Sequence, residues 1–167
     1  MLSALVMITR TTVSAIRTLI FVAQNTAEGF LPPRRIGDAL GESPTYLAKV
    51  TRSLVKAGIL RAEKGVKGGV WLGRPPQQTT LLAIVEACQG AILGDYCQEG
   101  CQPETVCAYH LAADELRRAI VGVLGKWTLQ DLLNKPQGNP GRRAIPCVIQ
   151  SFDPAALASA AAGRRKR

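Results

Sequence analysis

The feature that most limits the possible folds is the placement of proline, serine and glycine between residues 24 and 75. Pro32-Pro33 and Gly41 bracket one segment with helical apolar spacing, and Ser43-Pro44 and Gly58 bracket the next. Serine caps the free N–H groups at a helix start, proline suits the first helical position, and glycine readily ends a helix. The pattern therefore predicts two short helices separated by a tight turn.

A further helix is predicted before these two, and it differs from the second short helix in its surface. Residues 12–23 carry Val13, Ile16, Ile20 and Ala23 at helical spacing, which predicts a helix with one buried face. Residues 44–57 turn apolar side chains inward, while Lys49, Arg52, Ser53 and Lys56 share an outer face. Such a basic stripe is typical of a recognition helix in a helix-turn-helix, although a merely solvated surface explains it equally well.

A hairpin after the second helix favours DNA binding. Residues 59–63 and 69–72 read as two short strands, and a basic, glycine-rich tip, residues 64–68, joins them. A cationic hairpin that follows a recognition helix is suited to phosphate or minor-groove contact, as in a wing. An ordinary surface hairpin is the alternative.

The stretches 43–47, 54–60 and 64–72 resemble the winged-helix family of IscR-, NsrR- and RirA-type iron–sulfur cluster regulators. The resemblance covers residues 7–135, with Met7 at the family's usual start. It implies a mainly α fold with a small β-hairpin wing (a winged helix-turn-helix) and a long dimerisation helix. The usual wing has three consecutive glycines before an aromatic residue, whereas this chain has Lys67-Gly68-Gly69-Val70.

Charge is distributed unevenly along the chain. Residues 1–75 hold 11 Lys/Arg and 4 Asp/Glu, residues 76–135 hold 4 and 7, and residues 136–167 hold 6 and 1. The basic first part is expected to attract a polyanion. We divide the chain into a DNA-binding domain (1–75), a linker helix with ligand loop and dimerisation helix (76–135), and a disordered basic tail (136–167). Without an apolar run of about 20 residues, no membrane association and a cytoplasmic location are expected.

Three of the five cysteines and the single histidine fall within fourteen residues, as Cys97, Cys101, Cys107 and His110. Grouped thiols with an imidazole suit either a zinc ion or an iron–sulfur cluster, and the residues alone do not separate the two. An unligated redox-active thiol group is a third reading. Cys88 lies on the apolar face of a helix that starts at Thr79 or Thr80, so we expect it in the core.

The resemblance favours the cluster. Family members that bind one carry three cysteines in this loop, and IscR-like members add a histidine three positions after the last, as Cys107 and His110 do. It implies a 2Fe–2S cluster, with 4Fe–4S or zinc as the alternatives. Only three residues separate Cys97 from Cys101, where the family commonly has five. Val13 stands where NsrR-like members supply an aspartate ligand, so His110 is the better fourth ligand.

A long amphipathic helix is predicted after His110, with an apolar stripe that needs a helical partner. The partner could be the first helix of the same chain or the same helix of a second subunit, and the resemblance favours the second, a homodimer. Thr128 and Asp131 predict the start of a final short helix. The stripe comprises Leu116, Ala119, Ile120, Val123, Leu124 and Trp127.

These features together predict a homodimeric transcriptional regulator, not an enzyme, that reads an imperfect palindrome in double-stranded DNA. It would sense redox state, iron or cluster status, or nitric oxide. A DNA-binding regulator with a structural zinc or thiol-redox site is the alternative, and a small redox or electron-transfer protein is a remoter one. The expected DNA-contacting residues are Ser43, Thr45, Tyr46, Lys49, Arg52, Ser53, Lys56, Lys64, Lys67, Gly68 and Gly69.

Overall fold

The structure is a computed structural model that describes residues 8–25, 29–65, 68–92 and 107–134. Within these ranges the chain forms six α-helices and one two-stranded antiparallel hairpin, which confirms the mainly α fold with a wing. The tail expected at residues 136–167 lies outside the described residues, and the division into domains stays a prediction. The elements are α1 (Arg10–Gln24), α2 (Pro33–Leu40), α3 (Pro44–Lys56), β1 (Leu60–Glu63), β2 (Gly69–Leu72), α4 (Leu81–Gln89), α5 (Ala108–Lys126) and α6 (Leu129–Asn134).

Helix α1 is the centre of the fold, and this corrects the prediction that it buries one face. It packs against α2, α3, α4, α6 and β2, so several of its sides are covered. Val13 and Ala23, expected inward, are only partly buried, whereas Thr12, Ser14 and Thr18 are buried. Apolar periodicity could not find this wider contact because threonine and serine are not apolar residues.

The bracketing residues define α2 and α3 as predicted. Gly41 adopts φ 67° at the end of α2, a left-handed conformation that glycine takes without strain. Ser43 Oγ accepts a hydrogen bond from Tyr46 N (3.3 Å), and Pro44 is the first residue of α3. Gly58, at φ 67°, follows the end of α3.

The hairpin is held to the helices by a third extended segment. Leu60 pairs with Leu72 and Glu63 with Gly69, in the predicted strands. On the other edge of β2, Leu31 N donates to Val70 O (3.1 Å) and Val70 N donates to Leu31 O (2.9 Å). This bridge joins the turn before α2 to the wing, so the wing and the helix-turn-helix form one packed unit.

The elements after the hairpin close onto the same core. Thr80 caps α4, because its Oγ1 accepts from Ala83 N (3.1 Å). Leu129 N donates to Thr79 O (2.8 Å), which places the start of α6 beside the start of α4. The Thr128 backbone N–H and hydroxyl both donate to Asp131 Oδ2, the predicted cap of the final helix. Among the described helices, none is both long and apolar enough to cross a membrane.

Candidate nucleic-acid interface and ligand pair

Helix α3 presents a cationic outer surface. Its inner side chains Leu47, Val50 and Leu54 are fully buried in the core. Lys49, Arg52 and Lys56, predicted to share the outer face, are exposed, and Ser53 is partly buried. The arrangement offers three flexible cations to a polyanion along one side of a rigidly packed helix.

The residues at the start of α3 differ in their availability. Ser43 and Thr45 are exposed. Tyr46 is partly buried against the core, and its hydroxyl donates to Thr11 Oγ1 (3.4 Å). Tyr46 is one of the residues expected to contact DNA, and that role stays a prediction, but part of this side chain is engaged within the protein.

A groove of about 410 Å³ separates α3 from the hairpin. Arg52 lines it from α3 and Lys64 from the end of the wing, both exposed. Small residues form much of the remaining lining, including Ala48, Gly65 and Gly68. These two cations suit contact with a phosphate backbone, although the groove is also lined by one carboxylate, that of Glu63. Lys67, predicted to contact DNA from the tip, lies outside the described residues.

Close backbone contacts explain two glycines of the hairpin that we expected to contact DNA. A Cβ on Gly68 would lie 2.2 Å from Glu63 O, and one on Gly69 would lie 2.7 Å from the Leu31 carbonyl oxygen. Both distances are shorter than an ordinary van der Waals contact. These glycines therefore have a packing function in the wing, whether or not they also contact DNA.

Three arginines around this surface were not among the residues predicted to contact DNA. Arg34 and Arg35 are exposed in the first turn of α2, directly after Pro33, which lines the groove. The Arg74 guanidinium donates hydrogen bonds to the carbonyls of Ala57 and Gly58, at the end of α3. The pair of arginines after Pro33 was a readable signal of basic charge, but the link from Arg74 to α3 depends on the tertiary fold.

Cys107 and His110 are brought together by the first turn of α5. Cys107 is the N-cap of the helix, and its Sγ lies 3.0 Å from His110 Nδ1. Hydrogen bonds from the backbone N–H of His110, and then from its side chain, lower the pKa of the exposed Cys107 thiol. The prediction that both side chains project from one side of the first turn is confirmed. The Cys107 sulfur and the His110 imidazole form half of the predicted ligand set.

The other predicted ligands and the remaining cysteines stand as follows. Cys97 and Cys101 lie outside the described residues, as does Cys147. In the part of the chain that the structure describes, no three His, Cys, Asp or Glu side chains converge as a metal site would require. Cys88 is partly buried against the core, and burial raises the pKa of its thiol to about 11.

The apolar stripe of α5 is divided between the core and the surface. Leu124 is buried and Ile120 partly so. In contrast, Leu116 is 53% exposed, Val123 60% and Trp127 40%. Helix α5 packs against α4 of its own chain, so this contact leaves the outward part of the stripe uncovered.

Comparisons with known proteins identify the family of this chain. The family model Rrf2, described as an iron-dependent transcriptional regulator, matches residues 8–135. The HTH-type transcriptional regulator IscR of Serratia proteamaculans is 30% identical over 122 residues, which cover 72% of this chain and 74% of that protein. The IscR of Aliivibrio salmonicida is 29% identical over 141 residues, covering 82% and 84%.

Solved structures show the same fold. CymR (YrzC), the global cysteine regulator of B. subtilis, superimposes with a TM-score of 0.61 at 26% identity, covering 76% of this chain and 95% of that one. T. potens IscR superimposes with a TM-score of 0.61 at 21% identity, covering 81% and 92%. The matched proteins are transcriptional regulators rather than enzymes. The chain belongs to the Rrf2 family and is a DNA-binding transcriptional regulator.

Proposed function

We propose that this regulator is a cytoplasmic homodimer that senses redox state, iron or cluster status, or nitric oxide through an iron–sulfur cluster. The observation that carries the proposal is the Cys107–His110 pair, 3.0 Å apart at the exposed start of α5. The similarity to IscR proteins and the iron-dependent description of the family support it.

The chemistry of the donor set fits such a group. Cys97, Cys101, Cys107 and His110 would hold it, as three thiolates and one imidazole. When bound, an iron–sulfur cluster supplies one-electron redox chemistry and a centre that oxidants can attack. Cys107 would supply its exposed sulfur as a ligand, and His110 would supply a ring nitrogen beside it. We favour 2Fe–2S among the cluster types.

The outward part of the α5 stripe supports the homodimer. Leu116 and Val123 lie two turns apart on one exposed surface of α5, and Trp127, also exposed, directly follows the helix. About half of each side chain is still exposed, so covering it with a second subunit would contribute about 1 kcal/mol per residue. The same helix of a second subunit presents the same stripe, so a two-fold interface would cover both copies at once.

Two subunits related by a two-fold axis would read an imperfect palindrome, with one α3 helix in each half-site. Lys49, Arg52 and Lys64 are exposed and are proposed to contact phosphates. Thr45, exposed in the first turn of α3, and the partly buried Tyr46 and Ser53 are proposed to lie nearer the bases.

Anaerobic purification followed by visible absorption and analysis of iron, sulfide and zinc tests the cofactor. We expect a coloured protein with equal amounts of iron and sulfide, and loss of the colour in Cys107→Ala. Cys88→Ala, which changes a cysteine outside the ligand set, should keep the colour and serves as the matched control. A colourless protein with one zinc per subunit and no reconstitutable iron would contradict the cluster and favour the structural zinc site.

A further inference from the structure

Two side-chain hydrogen bonds tie the first turn of α1 to two other helices. Thr12 Oγ1 donates to Oε1 of Gln89, the last residue of α4, at 3.4 Å. At the neighbouring position, Thr11 Oγ1 accepts a hydrogen bond from Tyr46 Oη, in the first turn of α3, also at 3.4 Å. We call Gln89, Thr12, Thr11 and Tyr46 the α4–α1–α3 linkage.

Thr12 places a hydroxyl group in the buried interior of the fold. Thr12 is 0% exposed, in a helix where an apolar residue of similar shape would fill the space. A buried hydroxyl is destabilising unless it has hydrogen-bond partners. Here the partners are Thr9 Oγ1, at 3.1 Å, and Gln89. One of the two partners of this hydroxyl therefore lies at the end of α4, whereas the buried hydroxyls of Ser14 and Thr18 in the same helix have no hydrogen-bond partner among the described residues.

The two ends of the linkage lie at different functional regions. Gln89 ends the helix that leads towards the cysteine segment, and Gly90 follows it at φ 85°. Tyr46 directly follows Thr45, one of the exposed residues at the DNA-facing start of α3. Helix α1 packs against both α3 and α4, which also contact each other, so its first turn lies beside both of the regions that the linkage joins.

We propose that the α4–α1–α3 linkage positions the first turn of α3 relative to the end of α4, so that changes at the cysteine segment alter DNA affinity through α1. Gln89, Thr12 and Thr11 act as positioning residues that touch no DNA. The regulatory part rests on the proposed cluster. The mechanical coupling of Gln89 to α3 does not require it and can be measured in cofactor-free protein.

The test is a double-mutant cycle in the full chain. Gln89→Leu removes one hydrogen bond and Thr11→Val removes the other, and neither residue belongs to the predicted DNA-contacting set. The probe is a duplex selected from a randomised pool by the wild-type protein, titrated by fluorescence anisotropy after chelation of metal. Thr18→Val is the matched control, because Thr18 is also a fully buried threonine of α1 and its hydroxyl has no hydrogen-bond partner among the described residues.

Each single variant should weaken specific binding by about three- to tenfold, the effect of one hydrogen bond. The double variant should be no weaker than the weaker single variant, because either change breaks the same linkage. Thr11→Ser, which keeps a hydroxyl at this position, should bind with the affinity of the wild type, unlike Thr11→Val. Thr18→Val should leave the affinity unchanged. Affinity for an unselected duplex should stay constant throughout, which separates a change in positioning from a loss of folding.

The linkage would be overturned if the increases in dissociation constant caused by the two single changes multiplied in the double variant. It would also be overturned if the single variants bound the selected duplex as tightly as the wild type. The cluster is judged by a separate result: wild-type protein that binds the selected duplex equally with and without reconstituted iron and sulfide. That result would remove the regulatory role assigned to the cluster while the cycle still decides whether the linkage exists.

Discussion

Replacing Gly69 with alanine tests the packing of the wing against the helix-turn-helix. Gly69 is buried beside Leu31, and a Cβ there would lie 2.7 Å from the Leu31 carbonyl carbon and oxygen and 2.9 Å from its nitrogen. These atoms belong to backbone, which cannot rotate away as a side chain can. The substitution must therefore move the Leu31 segment and weaken the two hydrogen bonds that join it to Val70.

The expected loss of stability follows from these two effects. Overpacking of a close contact costs about 1–3 kcal/mol. Two weakened backbone hydrogen bonds add about 1 kcal/mol each. The sum, roughly 3–5 kcal/mol, is a large part of the ~5–15 kcal/mol by which domains are stable. With a urea m-value of about 2 kcal/mol/M, the unfolding midpoint should fall by roughly 1.5–2.5 M.

Urea unfolding followed by far-UV circular dichroism, at one fixed protein concentration, is the assay. Gly122→Ala is the matched control, because a Cβ on Gly122 meets nothing within 4 Å. In the interior of α5 this change should raise stability by about 0.5–1 kcal/mol. If Gly69→Ala unfolded at the wild-type midpoint and only lost DNA affinity, the packing role would be refuted and the predicted DNA contact would stand alone.

Three further measurements test the proposed dimer surface, the proposed DNA surface and the burial of Cys88. Val123→Glu should raise the dimer dissociation constant at least about tenfold in sedimentation equilibrium, because it buries a carboxylate. Gly125→Glu, which lies about 200° around α5 from Val123, should not; equal dimerisation of the two variants would contradict the α5 interface. Arg52→Gln should lower the salt slope of DNA binding by about one, while an unchanged slope would exclude a phosphate contact. In cofactor-free protein at pH 8, Cys88 should react with iodoacetamide about a hundredfold more slowly than an ordinary thiol, because its pKa is raised to about 11; a similar rate would contradict its burial.

Local signals explain why the helix-turn-helix and wing could be predicted. Ser43, Pro44 and Gly58 act within a few residues of their own positions, through capping and backbone conformation. The strands were found from their flanking glycines in the same way. The Cys107–His110 pair is also local, since one helical turn brings positions i and i+3 together.

Tertiary contacts explain what the sequence could not supply. Thr12 and Thr18 are buried because α1 lies among several elements, a fact that apolar spacing does not encode. The α5 stripe was read as one surface, yet Leu124 faces the core and Val123 faces outward. Tyr46 looked available for DNA, but its hydroxyl meets Thr11, 35 residues earlier in the chain.

Dependence of DNA affinity on the cluster is measured by titrating one preparation in two states. Protein with reconstituted iron and sulfide, and the same protein after anaerobic chelation, would each be titrated against the selected duplex at one salt concentration. We predict that the two dissociation constants differ by at least about fivefold, the lower end of typical allosteric coupling. Equal dissociation constants in a preparation that does hold a cluster would contradict it.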